Sequence, residues 1–323
     1  MLDVSIVVPV YCGAETLSSL VEEIAALRSP QVTASGQAFK VCEVVLVWDH
    51  GPDSSDVVMS TLAEEYDWVR PLWLSRNFGQ HPATVAGMSS TRGDWVVTMD
   101  EDGQHAPSDI GILLEAALSE GATLVYAAPT NKPPHSRLRN IASSLTKNVV
   151  LRGLSGATAV PFHSFRIIDG EYARAVSAYC GPGVYLDVAL SWVVNKTTSA
   201  PLAMRDEGRA STSYNLRRLA SHFWRLVISS GNRPLRIVSG LGIAAAALGV
   251  LFSVLLVVQR LTGSTDVQGW TSVIVVTLIV GGLILLSLGV IAEYLGMAAS
   301  LSMGRPLYVV TSAPRTSTTR RSS

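Results

Sequence analysis

The run Trp95-Val96-Val97-Thr98-Met99 stops on Asp100-Glu101-Asp102. Five residues that are apolar, β-branched or aromatic read as a short buried strand. Moving outward, residues 4–10, 44–48 and 69–74 have the same character. Between the first of these runs and the others, residues 15–27 and 56–65 carry apolar side chains at helical spacing. Strands alternating with helices predict an α/β domain with a mostly parallel sheet. Ligands of such sheets bind beyond the carboxyl ends of the strands. Three polar groups stand there: Asp49 after residues 44–48, the loop Arg76-Asn77-Phe78-Gly79-Gln80-His81 after residues 69–74, and the acidic run itself.

Asp100 and Asp102, two apart at a strand exit, can share a hard cation such as Mg²⁺ or Mn²⁺ and leave coordination positions for a diphosphate. An Asp-x-Asp is also a common pair of solvated loop charges, and Glu101 between them reads as a spectator. Asp49 offers acceptors to a nucleobase or ribose. With Gly51, Pro52 and Asp53 behind it, the same stretch also reads as a turn and helix cap. The 76–81 loop offers one guanidinium, two amides and a glycine to a sugar or phosphate, and its plainer reading is a surface loop.

The chain has 323 residues, of which 15% are charged and 48% hydrophobic. Soluble domains carry about 25% charged residues, so a purely soluble protein is disfavoured. Lys+Arg and Asp+Glu are 25 each, for a net charge of +0. No basic field exists to draw in nucleic acid. Cys12, Cys42 and Cys180 have no metal-ligand spacing and read as reduced thiols of a cytosolic compartment. The charge deficit is local. Residues 237–258 and 270–292 contain no charged side chain, and each run is long enough, at about 33 Å, to cross a ~30 Å hydrocarbon core. Arginines cluster before the first run and after the second, with only Arg260 between. The positive-inside rule then places both termini in the cytoplasm. Residues 216–228 alternate Leu, Phe and Val with Arg and His at helical spacing, as a surface-lying amphipathic helix does. The expected organisation is a catalytic domain over 1–214, a juxtamembrane helix over 215–236, two spans over 237–292 and a cytoplasmic tail over 293–323.

The order of these pieces resembles glycosyltransferase family 2. Val7-Val8-Pro9-Val10-Tyr11 looks like the family's opening, residues 44–49 with Pro52-Asp53 its second motif, and residues 75–81 and 98–105 the approach to its Asp-x-Asp. The arginines around 233–236, Glu293-Tyr294-Leu295-Gly296 and Gly304-Arg305-Pro306-Leu307-Tyr308 resemble the polyprenyl-phosphate branch, which includes bactoprenol glucosyltransferases and dolichol-phosphate mannose synthase. The resemblance implies a GT-A type nucleotide-sugar domain held at the inner (plasma) membrane. It implies a nucleotide-sugar donor, a polyprenyl phosphate acceptor, a Mg²⁺ or Mn²⁺ cofactor and a homo-oligomer. Carried over by position, Pro9, Tyr11, Asp49 and Asp100 line the nucleotide pocket, and Asp102 with Asp100 holds the metal. Gln104 sits beside the donor sugar or acceptor phosphate. Arg137, Arg139, Ser164, Arg166 and Arg209 attend to phosphate and acceptor, with Asp102, Gln104 and Arg166 catalytic. Cys12, Trp48 and Pro129 depart from the family pattern and bear on donor choice. A processive polysaccharide synthase is the rival enzyme, but its Gln-x-x-Arg-Trp motif is missing from the sequence. A catalytically silent nucleotide-sugar binder is the rival of another class.

Overall fold

The computed structural model describes residues 1–131, 162–205, 233–261 and 269–314. Strands β1 (Leu2–Val10), β3 (Ala38–Trp48), β4 (Val69–Leu74) and β5 (Trp95–Thr98) are the four predicted runs. They pair in parallel, β5 and β3 flanking β1, and β4 beside β3. Short β2 (Gln31–Val32) pairs antiparallel with β3. The other half comprises β6 (Leu124–Pro129), β7 (Arg166–Asp169) and β8 (Thr197–Leu202). Here β7 runs antiparallel between β5 and β6, while β8 lies parallel to β6. A last strand, β9 (Val310–Thr311), joins the outer edge of β4 antiparallel. The sheet order is β8-β6-β7-β5-β1-β3-β4-β9. The mostly parallel α/β sheet expected from the alternation is thus present, with antiparallel insertions.

The central strands are buried on both faces, and this explains their unbroken apolar runs. Successive side chains point to opposite sides, so Ile6 and Val8 of β1 join one core cluster and Val7 the other. The first cluster takes in helices α1 (Leu17–Ala25), α2 (Ser55–Glu65) and α4 (Ile110–Glu120). The second takes in α3 (Gln80–Ser89), α5 (Gly170–Tyr179) and α6 (Leu186–Val193). The β1–α1 and β3–α2 loops are pinned together. Asp53 accepts hydrogen bonds from the Ala14 N–H at 3.1 Å and the Ser55 hydroxyl at 2.6 Å, and the Gly13 N–H reaches Ser55 Oγ at 2.8 Å. Gly51 presses so closely on this junction that a Cβ there would lie 1.6 Å from the Tyr11 carbonyl oxygen.

Helices α7 (Arg233–Leu261) and α8 (Trp270–Ser302) follow. The two-span expectation is corrected here. Among the described residues one helix is long and apolar enough to cross a membrane, over Ile279–Ser302 with mean hydropathy 2.0. That stretch runs past the expected boundary at residue 292. The apolar part of α7, Val238–Phe252, is shorter. Over those residues it covers about 22 Å at 1.5 Å per residue. After α8 the chain returns to the sheet. Leu307 and Tyr308 pack on the second core cluster, the Tyr308 hydroxyl lies 3.0 Å from Ser89 Oγ, and the Ser75 N–H donates to the Val309 carbonyl at 3.0 Å. The amphipathic segment around 216–228 and the residues beyond 314 lie outside the described residues.

Candidate active site

Beyond the carboxyl ends of β1 and β5 lies a cavity of about 110 Å³. Its wall is built from five places in the chain: Pro9 of β1, Gln80, His81 and Thr84 of α3, residues 98–100, residues 162–164 with Arg166, and Tyr185 with Asp187 at the start of α6. A parallel strand ending on polar residues beside a helix start makes such a crevice by construction.

Asp100 stands in this wall with both carboxylate oxygens engaged. Gln80 Nε2 donates to Oδ1 at 2.6 Å, and the Ser164 hydroxyl donates to Oδ2 at 2.6 Å. Burial pushes its carboxyl up, the Ser164 hydroxyl pulls it down, and the charge of Asp102 adds to the rise. Its backbone N–H donates to Nδ1 of His105 at 3.1 Å. His105 is buried and stacks on Phe165, with ring centroids 4.8 Å apart. Desolvation lowers its pKa to about 4, so it is neutral at pH 7 and free to accept that bond. The turn that follows is held by Asp102, whose carboxylate accepts the Gln104 N–H at 3.0 Å, and by the Gln104 carbonyl, which accepts the Arg205 N–H at 3.0 Å.

Arg166 is 3% exposed and still reaches the cavity. It stands in register with Thr98 on β5 and Tyr126 on β6. Its Nε donates to Thr98 Oγ1 at 3.0 Å, and its guanidinium is ion-paired with Asp187. The Tyr126 hydroxyl donates to the same Asp187 oxygen at 2.8 Å. Burial pushes the Tyr126 hydroxyl up to about 12, so it remains a donor. Arg166 is therefore a cation with a buried counter-ion, fixed in direction by three neighbours.

Of the residues expected from sequence, Pro9, Asp100, Ser164 and Arg166 meet in this wall. Asp102 and Gln104 occupy the turn next to it, outside the lining. Tyr11 is exposed on the β1–α1 loop, where its N–H and that of Cys12 donate to the two carboxylate oxygens of Glu101, each at 2.9 Å. Glu101, expected to be a spectator, thus ties two loops of the site together. Asp49 is buried, and its oxygens accept the N–H groups of Phe78 at 2.7 Å and Gly79 at 2.8 Å. Burial pushes its carboxyl up, against those two hydrogen bonds. It latches the β4–α3 loop to the end of β3. Arg137, Arg139 and Arg209 lie outside the described residues. His81 belongs to the 76–81 loop already singled out from sequence, whereas His163 and Tyr185 were missed as lining residues, and from sequence Asp187 reads as a helix-start carboxylate with a polar contact at the site as the alternative. Its position in the first turn of α6 fits that role, but its ion pair with Arg166 was not legible from spacing.

The residues suit a hard divalent cation. Asp100 and Asp102 are oxygen donors close enough that one charge raises the pKa of the other, a repulsion that a cation relieves. Among the described residues no group of three or more His, Cys, Asp or Glu gathers as a ready metal cage. Mg²⁺-type sites bound by one or two carboxylates plus ligand phosphates have that character.

The chain is similar over nearly its whole length to proteins named undecaprenyl-phosphate 4-deoxy-4-formamido-L-arabinose transferase. Identity to the one from Aeromonas hydrophila is 28% over 323 residues, covering 98% of this chain and 95% of that protein. Identity to the one from Pseudomonas fluorescens is 30% over 316 residues, covering 95% and 88%. The uncharacterized glycosyltransferase YkcC of Bacillus subtilis is 26% identical over 310 residues, covering 95% and 92%. Among solved structures, glucosyl-3-phosphoglycerate synthase from Mycobacterium tuberculosis, in complex with Mn²⁺, UDP-glucose and phosphoglyceric acid, superposes with a TM-score of 0.48 at 17% identity, over 72% of this chain and 79% of that one. Residues 5–169, from the first strand through the acidic turn to the end of β7, match the profile of glycosyl transferase family 2, and the chain belongs to that family.

Proposed function

We propose that this glycosyltransferase moves one sugar from a nucleotide-sugar to a polyprenyl phosphate at a membrane surface. The observation that carries the reading is Arg166, a fixed guanidinium at the wall of a cavity whose neighbouring turn bears Asp100 and Asp102. Support for a lipid-linked phosphate comes from the relatives, whose names specify undecaprenyl phosphate, and from the apolar helix at Ile279–Ser302.

A phosphate acceptor is ionised near pH 7 and is already a nucleophile, so no general base is required. The reacting groups must instead be aligned, and the charge on the leaving diphosphate must be offset. In this reading an acceptor phosphate oxygen forms a bond to the anomeric carbon as the bond from that carbon to the diphosphate oxygen breaks, with inversion. Arg166 donates to phosphate oxygen and reduces repulsion between two anionic reactants. Asp187, Tyr126 and Thr98 hold its plane. Gln80 and Ser164 hold Asp100 in the direction its role requires. Asp102 and Asp100 would bind Mg²⁺ or Mn²⁺, which supplies Lewis-acid stabilisation of a departing diphosphate when present. In the proposed organisation residues 1–214 form the catalytic domain and residues 215–236 a helix on the cytoplasmic membrane surface.

The full chain is incubated with Mg²⁺ or Mn²⁺, a panel of nucleotide-sugars and a short polyprenyl phosphate, and the lipid fraction is analysed by mass. One sugar per lipid is the expected product, absent in Asp102→Ala and after chelation. A long polymer marks a processive synthase, and nucleotide-sugar binding with no product from any donor marks a silent binder. Either result overturns the proposal.

A further inference from the structure

The turn between α5 and α6, residues 180–185, lies against the end of α8. A Cβ on Gly181 would fall 2.4 Å from Leu301 Cδ2, and one on Gly183 would fall 3.6 Å from Met297 Cε. At the first position the approach is closer than any side chain tolerates. Met297 and Leu301 belong to the last two turns of the apolar stretch Ile279–Ser302, so the turn sits level with one end of that stretch. On either side of it the surface is aromatic. Tyr179 ends α5 and is 80% exposed, and Trp192 on α6 is 61% exposed. Of the domain's other tryptophans, Trp48, Trp73 and Trp95 are each less than a tenth exposed and Trp68 is half-buried. At the end of α8 itself, Leu301 and Met303 are exposed too.

We propose that this α5–α6 elbow is a bilayer contact, with Tyr179 and Trp192 lying in the headgroup layer beside the end of α8. Side chains with an apolar ring and a polar tip favour that layer. Helix α8 has 33 residues and spans about 50 Å, more than a ~30 Å hydrocarbon core requires, and Glu293 follows its charge-free part. Its last turns therefore emerge at headgroup depth, where the elbow touches them. The elbow leads directly into Tyr185 and Asp187 of the cavity wall, so the contact holds the cavity next to the membrane surface. The proposal rests on α8 lying in a membrane. It is independent of which sugar is moved, or of whether one is.

The test is tryptophan fluorescence of the full chain in phosphatidylcholine–phosphatidylglycerol vesicles, with and without phosphatidylcholines that carry a nitroxide on the headgroup (for Trp192) or on the acyl chain (for Leu285→Trp), and with aqueous iodide. Wild type is compared with Trp192→Phe, a change at an exposed ring that leaves the core intact. Leu285→Trp, at an exposed position on α8, is the membrane reference. The expected result is an emission component quenched by the headgroup-nitroxide lipid in wild type and missing in Trp192→Phe, with Leu285→Trp adding a second component quenched by the acyl-chain nitroxide. If the Trp192 component responds to iodide alone while Leu285→Trp is quenched by lipid, the elbow faces water and the proposal fails. If it responds to neither quencher, a second copy or another segment of the chain covers the patch and the proposal also fails. If Leu285→Trp is not quenched by the acyl-chain nitroxide, the membrane reading of α8 falls and takes the proposal with it.

Discussion

His105 shows how one buried side chain couples the acidic turn to pH. Its Nδ1 accepts the Asp100 N–H, a bond that only a neutral ring can accept. The folded pKa is about 4 against 6.5 for the free group. Between those values the unfolded chain binds a proton that the folded one does not. Stability therefore falls as pH drops from 6.5 towards 4, by about 3 kcal/mol in full. Urea denaturation at a series of pH values should show this slope, and His105→Gln, which keeps an acceptor, should lose it. Gly51 is the second residue whose role is local and strict. Ala there would place a methyl on the Tyr11 carbonyl, and overpacking of this kind costs about 1–3 kcal/mol; the denaturation midpoint checks it. Neither role was legible in the sequence. His105 was read only as part of the approach to the acidic pair, and Gly51 only as a turn residue. What each side chain touches depends on strands far apart in the chain being brought abreast. Asp49 carries the same lesson. Its place at the end of β3 was readable, but the Phe78 and Gly79 amides that occupy its oxygens come from the next strand's loop.

At the scale of elements, the row Thr98–Arg166–Tyr126 crosses three strands and is closed by Asp187 from α6. Removing one partner of a buried ion pair leaves the other charged and unsolvated, which costs about 3–5 kcal/mol. Arg166→Ala should accordingly lose both turnover and stability. Arg166→Leu combined with Asp187→Asn should regain most of the stability and none of the turnover. Chemical denaturation and initial rates on the same preparations separate the two effects. The four parallel strands were legible because each is a continuous apolar run, the pattern that burial on two faces imposes. Strand β7 was not, since it begins and ends on charged residues and its antiparallel place between β5 and β6 leaves no trace in local spacing. Two spans were read from two charge-free apolar runs of about 33 Å each, whereas among the described residues one helix, over Ile279–Ser302, is long and apolar enough to cross a membrane. In α7 the described apolar stretch is the shorter Val238–Phe252.

Over the whole molecule, β9 ties the stretch after α8 back to the edge of the catalytic sheet. Removing residues 305–323 should bare the β4 edge and uncover the part of the second core cluster on which Leu307 and Tyr308 pack. Exposed edges pair with other chains, so the truncated protein should melt earlier and elute as soluble aggregate in size-exclusion chromatography. The closing strand is also the last of the sheet to be made. After β8 leaves the ribosome, roughly a hundred further residues must be translated before β9 emerges, a delay on the order of ten seconds at ordinary elongation rates. Throughout that interval the nascent domain carries a bare flank while its hydrophobic helices are still being delivered.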